Sequence, residues 1–179
     1  MTPAELAKSG SEHGQQRALF AWCMVAEQFG FNVAWDWANG MGLEAAKSSR
    51  TNDQPVPELK WYHAIPNGGS RGDDAKARGI RGAMLKAEGV KSGIPDTFLP
   101  LPMWGLVGSG YAITYAGLYV EMKRDKSEGR RKGSTSSSQD EIIAYLRRSG
   151  YAVSVCFTWD QAAREVQSYI EAVRKGAKP

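Results

Sequence analysis

An apolar run ends in a charged pair at Gly117-Leu118-Tyr119-Val120-Glu121-Met122-Lys123. The run predicts a β-strand, in which successive side chains point to opposite faces of a sheet. Glu121 and Lys123 then share one face, and Met122 points into the opposite layer. We therefore expect a carboxylate and an ammonium group side by side at the end of a buried strand.

A second acidic residue lies upstream, in Gly93-Ile94-Pro95-Asp96. If Asp96 ends a neighbouring strand, it converges with Glu121 and Lys123. Two carboxylates suit Mg²⁺, which keeps several waters and takes one or two protein carboxylates. The lysine would orient an attacking water and offset the charge that builds on a phosphate. The set predicts metal-assisted hydrolysis of a phosphodiester, although a solvated acid–lysine pair is the alternative for so short a motif.

Length and composition indicate a single folded domain with a mild preference for polyanions. The chain has 179 residues, a net charge of +4 and a pI of about 9.1, which favours one domain over residues 1–179 and a negatively charged partner. Cys23 and Cys156 lie in apolar contexts without metal-ligand spacing, so we expect buried free thiols. The N-terminus lacks a basic start and an apolar signal core, which predicts a cytoplasmic protein.

Residues 97–120 contain no charged side chain, and a segment of this length is long enough to span a bilayer. Proline and glycine interrupt it repeatedly, at Pro100, Pro102, Gly105, Gly108, Gly110 and Gly117. We therefore predict two buried strands with a Gly-rich connection between them, because central strands of a covered sheet are continuously apolar. A membrane-spanning segment is the alternative. Both proposed metal ligands, Asp96 and Glu121, flank this segment.

The remaining chain predicts an α/β fold with one mixed sheet flanked by helices. Helices are expected at 11–29, ended by Gly30, at about 73–88, at about 139–149, and after a capping box at Thr158-Trp159-Asp160-Gln161. Strands are expected at 60–65, 96–101, 115–123 and 151–157. Residues 31–58 contain Asn39-Gly40, Pro55 and Pro57, which predict an irregular insertion.

Two further polar residues could belong to the site. Glu12 opens the first predicted helix and would supply another carboxylate, or it would form a capping box with Ser9. Gln139 begins the helix near 139–149 and would hold a phosphate or a metal-bound water. Its alternative role is a capping box with Ser136.

Basic residues concentrate next to the proposed site. Between Lys123 and Lys132 the sequence has six basic residues against two acids, which suits a DNA backbone unless the segment is only a solvated loop. The turn Asn67-Gly68-Gly69-Ser70-Arg71 would offer N–H groups and a guanidinium to a phosphate, or it is a plain turn. No base-reading element is evident, so backbone or shape recognition is expected. The DNA-contacting candidates are Asn67, Arg71, Lys91, Arg124, Lys126, Arg130, Arg131 and Lys132.

These motifs occur in a fixed order: Gly-x-Pro-Asp at 93–96, Glu-x-Lys at 121–123 and Ser-x-x-Gln at 136–139. In this order the chain resembles the VRR-NUC family of the PD-(D/E)xK nuclease superfamily, over nearly its whole length outside 31–58. The resemblance implies a restriction-endonuclease-like core in which Asp96 and Glu121 bind the metal and Lys123 assists the water. It also implies that Gln139 and Glu12 support them, with Glu12 as a further metal ligand.

The resemblance further implies a Mg²⁺-dependent endonuclease, with Mn²⁺ as a substitute, that acts on branched DNA. We expect a homodimer that resolves Holliday junctions, in the bacterial host cytoplasm if the chain is phage-encoded, with neither a membrane nor a small-molecule cofactor. A flap or restriction-like nuclease, or a DNA-binding module that no longer cuts, is the alternative. The segment between Asp96 and Glu121 is longer than usual, and its extra hairpin would form a dimer contact or a DNA wedge. Lys123 is expected to be exposed, so that Lys123→Ala would spare the fold.

Overall fold

The computed structural model describes residues 1–66, 75–124 and 135–176, except for the side chains of 75, 76 and 78. Its helices are α1 Pro3–Ala7, α2 Glu12–Phe29, α3 Phe31–Ala38, α4 Leu43–Ser49, a 3₁₀ helix Pro57–Trp61, α5 Ala75–Ala87, α6 Ser137–Arg148 and α7 Trp159–Lys175. Its strands are β1 His63–Ala64, β2 Thr97–Leu99, β3 Met103–Val107, β4 Gly110–Tyr115, β5 Leu118–Met122 and β6 Ala152–Cys156.

A mixed four-stranded sheet in the order β1-β2-β5-β6 forms the centre of the fold. β1 and β5 are both antiparallel to β2, whereas β6 is parallel to β5. Parallel neighbours need a crossover connection, and α6 supplies it between β5 and β6. The predicted α/β class with a mixed sheet is therefore confirmed.

The two faces of the sheet pack against different helices. Val120, Met122 and Cys156 belong to the main core, together with buried residues of α2, α3 and α7. Ile143, Leu146 and Val153 form a smaller core between α6 and the opposite face, against which Tyr119 and Val155 pack. Met122 is buried in the main core, and Tyr119 points to the α6 side. The predicted alternation of side chains along β5 is confirmed, and it directs Glu121 and Lys123 toward α6.

The prediction of an irregular insertion at 31–58 is wrong, because this segment contains α3, α4 and the 3₁₀ helix. Phe31 and Ala34 of α3 are buried in the main core. The start of α3 is capped from a distance: the Asp53 carboxylate accepts the Val33 N–H at 2.9 Å and the Asn32 side-chain amide at 3.1 Å. A helix whose cap comes from about twenty residues away carries no capping signal in its own sequence.

The strand predicted at 60–65 is also shorter than expected. Residues Pro57–Trp61 form the 3₁₀ helix, and only His63–Ala64 pair with β2. Proline at the first helical position has its φ angle already set for a helix. The Val56 N–H donates to carbonyls at the end of α2, which ties the start of this turn to the core.

The charge-free segment forms strands rather than a membrane-spanning helix. β2 and β5 pair in the central sheet, and the predicted connection between them folds into a separate β3–β4 hairpin. The tip of this hairpin contains Gly108 at a φ of +61°, a backbone conformation that glycine adopts readily. Within the described residues, no helix is both long enough and apolar enough to cross a membrane.

The distant cap of α3 can be tested by Asp53→Ala. We expect the free energy of unfolding to fall by about 1 kcal/mol, as for loss of a helix N-cap, measured by urea denaturation. Gly30→Ala should cost more, because Gly30 has φ +101° and an added Cβ would lie 2.3 Å from the Asp53 carboxyl carbon. Glu44→Ala, at an exposed position, is the control, and equal losses for Asp53→Ala and Glu44→Ala would contradict the capping role.

Candidate active site

Asp96 lies beside Glu121 because of the strand register. It directly precedes β2, and because β2 is antiparallel to β5, the start of β2 is next to the end of β5. Asp96 Oδ2 accepts the N–H of Met122 at 2.8 Å, and the Asp96 carbonyl accepts the N–H of Ile65 at 2.7 Å. Backbone contacts on both neighbouring strands therefore fix this acid at the end of β5.

Three side chains form a closed triangle on the α6 face of the sheet. Lys123 Nζ lies 2.7 Å from Glu121 Oε1 and donates to Gln139 Oε1 at 2.8 Å. Gln139 Nε2 donates to the same Glu121 oxygen at 2.6 Å. The Glu121 and Lys123 side chains are only 3% and 8% exposed. The predicted convergence of Glu121, Lys123 and Gln139 therefore occurs, and it is buried.

Gln139 has the capping role that its sequence context offered, and it also contacts two side chains of the proposed site. It forms a capping box with Ser136: the Gln139 side chain accepts the Ser136 N–H at 2.9 Å, and Ser136 Oγ accepts the Gln139 N–H at 3.3 Å. The same amide contacts Glu121 and Lys123. Because the capping box fixes the rotamer of Gln139 at the start of α6, it also fixes where the amide contacts the acid and the lysine.

Glu12 is held at the edge of this group by the end of β5. The cap of α2 is Ser11, which accepts the Gly14 N–H at 3.0 Å, so the alternative capping box with Ser9 is wrong. Glu12 Oε1 instead accepts the N–H of Arg124 at 3.3 Å. Glu12 is exposed, and its negative charge is felt at Glu121.

Burial raises the pKa of Glu121 to about 7, and the negative charges of Asp96 and Glu12 act in the same direction. The hydrogen bond and charge of Lys123 oppose this shift without cancelling it. Glu121 Oε2 is buried and has no hydrogen-bond partner among the residues that the structure describes. A buried acceptor left without a partner costs free energy, and a cation beside Oε2 would remove that cost.

This donor set fits a magnesium ion. The carboxylates of Glu121 and Asp96 are the oxygen ligands that Mg²⁺ prefers, and Mg²⁺ commonly takes one or two of them and completes its shell with water and substrate phosphate. In the described part of the chain, no three His, Cys, Asp or Glu side chains lie close enough together to hold a metal on their own. Asp96 and Glu121 would hold such an ion, and Glu12 lies close enough for its charge to act on Glu121.

The other predicted DNA-contacting residues fall into two groups. Arg124 and Lys91 are both exposed; Arg124 follows the site lysine directly, and Lys91 lines a cavity of about 280 Å³ with Ile65 and Glu88. The remaining candidates lie outside the described residues: Asn67, Arg71, Lys126, Arg130, Arg131 and Lys132.

A cavity of about 400 Å³ adjoins Lys123 and was not predicted. Its lining comes from α6, from β6 and from residues that flank α6, β5 and β6, namely Lys123, Thr135, Asp140, Ile143, Arg147, Val155 and Phe157. The available signals were the helical spacing of 140, 143 and 147 and the alternation of 155 and 157 in the predicted strand 151–157. Neither signal says that a space remains between the helix and the sheet.

No protein-family model matches the chain, and no curated protein matches it. A solved structure described as a "VRR_NUC domain protein" aligns with 88% of this chain and 89% of its own chain, at 20% sequence identity and a TM-score of 0.48.

The buried position of Lys123 reverses the expectation that its loss would spare the fold. Lys123→Met should lower the free energy of unfolding by about 3–5 kcal/mol above pH 7, because a buried carboxylate loses its partner. The double variant Glu121→Gln/Lys123→Met should lose much less. Chemical denaturation measures both, with exposed Lys91→Met as the control. Equal stability of Lys123→Met and wild type would contradict the buried pair.

The raised pKa of Glu121 also predicts a pH dependence of stability. Between pH 4.5 and about 7, the folded state keeps a proton that the unfolded state has released, so the free energy of unfolding falls as pH rises through this range. The fall should not exceed about 3 kcal/mol. Denaturation in EDTA at several pH values measures it. Glu121→Gln should remove this contribution, and a variant with the wild-type slope would assign the dependence to other groups.

Proposed function

We propose that this chain is a metal-dependent DNA endonuclease of the VRR-NUC type that hydrolyses phosphodiester bonds in branched DNA. The observation that carries the proposal is the buried Glu121–Lys123–Gln139 triangle beside Asp96. A purely structural ion pair would be expected to satisfy its buried oxygens, whereas Glu121 Oε2 has no partner within residues 1–66, 75–124 and 135–176. The unpartnered oxygen and the neighbouring carboxylate together are what a metal-dependent hydrolase requires.

Each side chain would have a distinct part in the reaction. Glu121 and Asp96 would hold Mg²⁺, or Mn²⁺ in its place, which supplies Lewis acidity and offsets phosphate charge when bound. Lys123 would orient the attacking water and stabilise negative charge as it develops on the phosphate. Gln139 would hold the Lys123 and Glu121 side chains in position through its hydrogen bonds. Glu12 would restrain the backbone at Arg124. Water would be the nucleophile, with no covalent enzyme intermediate.

The basic residues support DNA as the substrate. Arg124 is exposed next to the site, and the chain has its densest run of basic residues immediately after it in sequence. Lysine and arginine contacts to phosphates hold a protein on DNA without reading bases. A nuclease that recognises DNA shape requires this kind of contact.

A homodimer is part of the proposal. The β3–β4 hairpin exposes Leu106, Val107, Tyr111 and Ile113 to at least half of their full extent, and clustered exposed apolar residues commonly mark interaction sites. A two-fold dimer presents identical sites to equivalent strands, which would allow paired incisions across a four-way junction. Sedimentation of the purified chain tests this part, because a monomer at micromolar concentration would remove it.

Cleavage of a labelled four-way junction in Mg²⁺ or EDTA, with linear duplex and flap substrates for comparison, tests the function. We expect symmetric, Mg²⁺-dependent incision that falls about 100-fold or more in Glu121→Gln, because a charged ligand is lost. Glu44→Gln, at an exposed position, should cut normally.

If flaps or duplex are cut in preference to the junction, the proposed metal-dependent hydrolysis stands and the Holliday junction is rejected as the substrate. Binding that is independent of metal, without cutting of any of the three substrates in Mg²⁺ or Mn²⁺, would favour the alternative of a DNA-binding module.

A further inference from the structure

The cavity beside Lys123 lies on the α6 face of the sheet and continues from the proposed catalytic group. Its volume is about 400 Å³, and Lys123 belongs both to its lining and to the Glu121–Lys123–Gln139 triangle. A molecule in this cavity would therefore contact the same lysine as the phosphate that is cut. Any ligand of the cavity should be part of the substrate or covalently attached to it.

The walls of the cavity follow from the secondary structure. Asp140, Ile143 and Arg147 are spaced at i, i+3 and i+7, which places them along one face of α6. Val155 of β6 packs on the face opposite the main core, and Phe157, the first residue after β6, lines the cavity beside it. This arrangement gives a cavity with one helical wall and one strand wall.

Arg147 is fixed in this wall. Its Nη2 donates to the carbonyl of Val153 at 2.9 Å, which holds the guanidinium at the edge of β6. The polar side chains around the opening include acceptors and donors, since Asp140 accepts, Arg147 donates and Thr135 does both. The cavity thus combines a partly aromatic apolar wall with hydrogen-bonding groups at its margin.

These properties suit a flat heterocycle with a polar edge. The volume of about 400 Å³ lies near the lower end of small-molecule sites, which run from about 300 to 1,000 Å³, so it accommodates a single base. A bare phosphate would need no apolar wall. Ile143, Val155 and Phe157 supply that wall, and aromatic contact with a base is tolerant of sequence.

We propose that this cavity binds one unpaired nucleobase of the DNA strand that is cut, next to the scissile phosphate. The inference rests on the proposed nuclease function and deepens it by naming what is recognised. Removing a base from a duplex costs a few kcal/mol, and the cost is least where the base is already unpaired. A single-stranded arm supplies such bases directly, and at a fully paired four-way junction a base beside the branch point would have to be unpaired first. Occupancy of the cavity would therefore select DNA that offers an unpaired base over linear duplex, without reading sequence.

The test compares single-turnover cleavage of a branched substrate that has either a normal or an abasic nucleotide at each position flanking the cut. At one position, the abasic site should slow the wild type by about 5- to 100-fold, the range expected for one base–aromatic contact. Phe157→Ala should slow cutting of the intact substrate by a similar factor. On the abasic substrate, Phe157→Ala and wild type should cut at nearly the same rate. Tyr145→Ala, which removes an exposed aromatic ring elsewhere on α6, should match wild type on both.

A binding measurement separates recognition of the base from cutting. With 2-aminopurine at the sensitive position, wild type in EDTA should change its fluorescence, and Phe157→Ala should lose most of that change. If Phe157→Ala does not melt cooperatively, exposed Asp140→Ala replaces it, because that variant removes a hydrogen-bond acceptor at the margin.

Two results would overturn the inference alone: cutting that is insensitive to abasic sites at every flanking position, or an equal loss for Phe157→Ala on intact and abasic DNA. Failure of the wild type to cut any branched, flap or duplex DNA in Mg²⁺ or Mn²⁺ would overturn the proposed function itself.

Discussion

A buried carboxylate at the end of a central strand constrains the arrangement around it. Glu121 lies where burial disfavours its charged form, so the surrounding chain must supply donors, and Lys123 and Gln139 do so at one oxygen. Replacing a buried ion pair with apolar residues of similar volume is often neutral or stabilising. The pair is therefore poorly explained by stability, and its second oxygen, which has no partner in the described part of the chain, would be free to take the proposed metal.

The topology of the sheet explains how Gln139 reaches this carboxylate. β5 and β6 are parallel neighbours, so α6 must run back across the sheet between them and begin near the end of β5. The capping box of α6 then lies next to Lys123, and the helix start and the site share one side chain. The capping box that fixes the start of α6 therefore also positions Gln139 against Glu121 and Lys123.

Short sequence patterns predicted the features that depend only on neighbouring residues, such as strand alternation and helix starts. Strand alternation placed Glu121 and Lys123 on one face with Met122 opposite, and Ser136 with Gln139 indicated a helix start. The burial of Lys123 could not be predicted in this way, because the covering residues come from a helix more than ten residues away. Likewise, α3 depends on Asp53 for its cap, and Asn39-Gly40 ends a helix where the sequence suggested an irregular loop. Contacts of this kind exist only once the chain is folded.

The charge around the site would link metal binding to DNA binding. Three carboxylates, from Glu12, Asp96 and Glu121, act close together: burial is the main cause of the raised pKa of Glu121, and the charges of Asp96 and Glu12 add to it while Lys123 opposes it. A phosphodiester that approached these carboxylates without a cation would be repelled by them, although basic residues nearby would attract the rest of the DNA backbone. A bound divalent cation would reverse the local sign at the point of cutting. The metal would then select where the backbone comes closest as well as supply the chemistry.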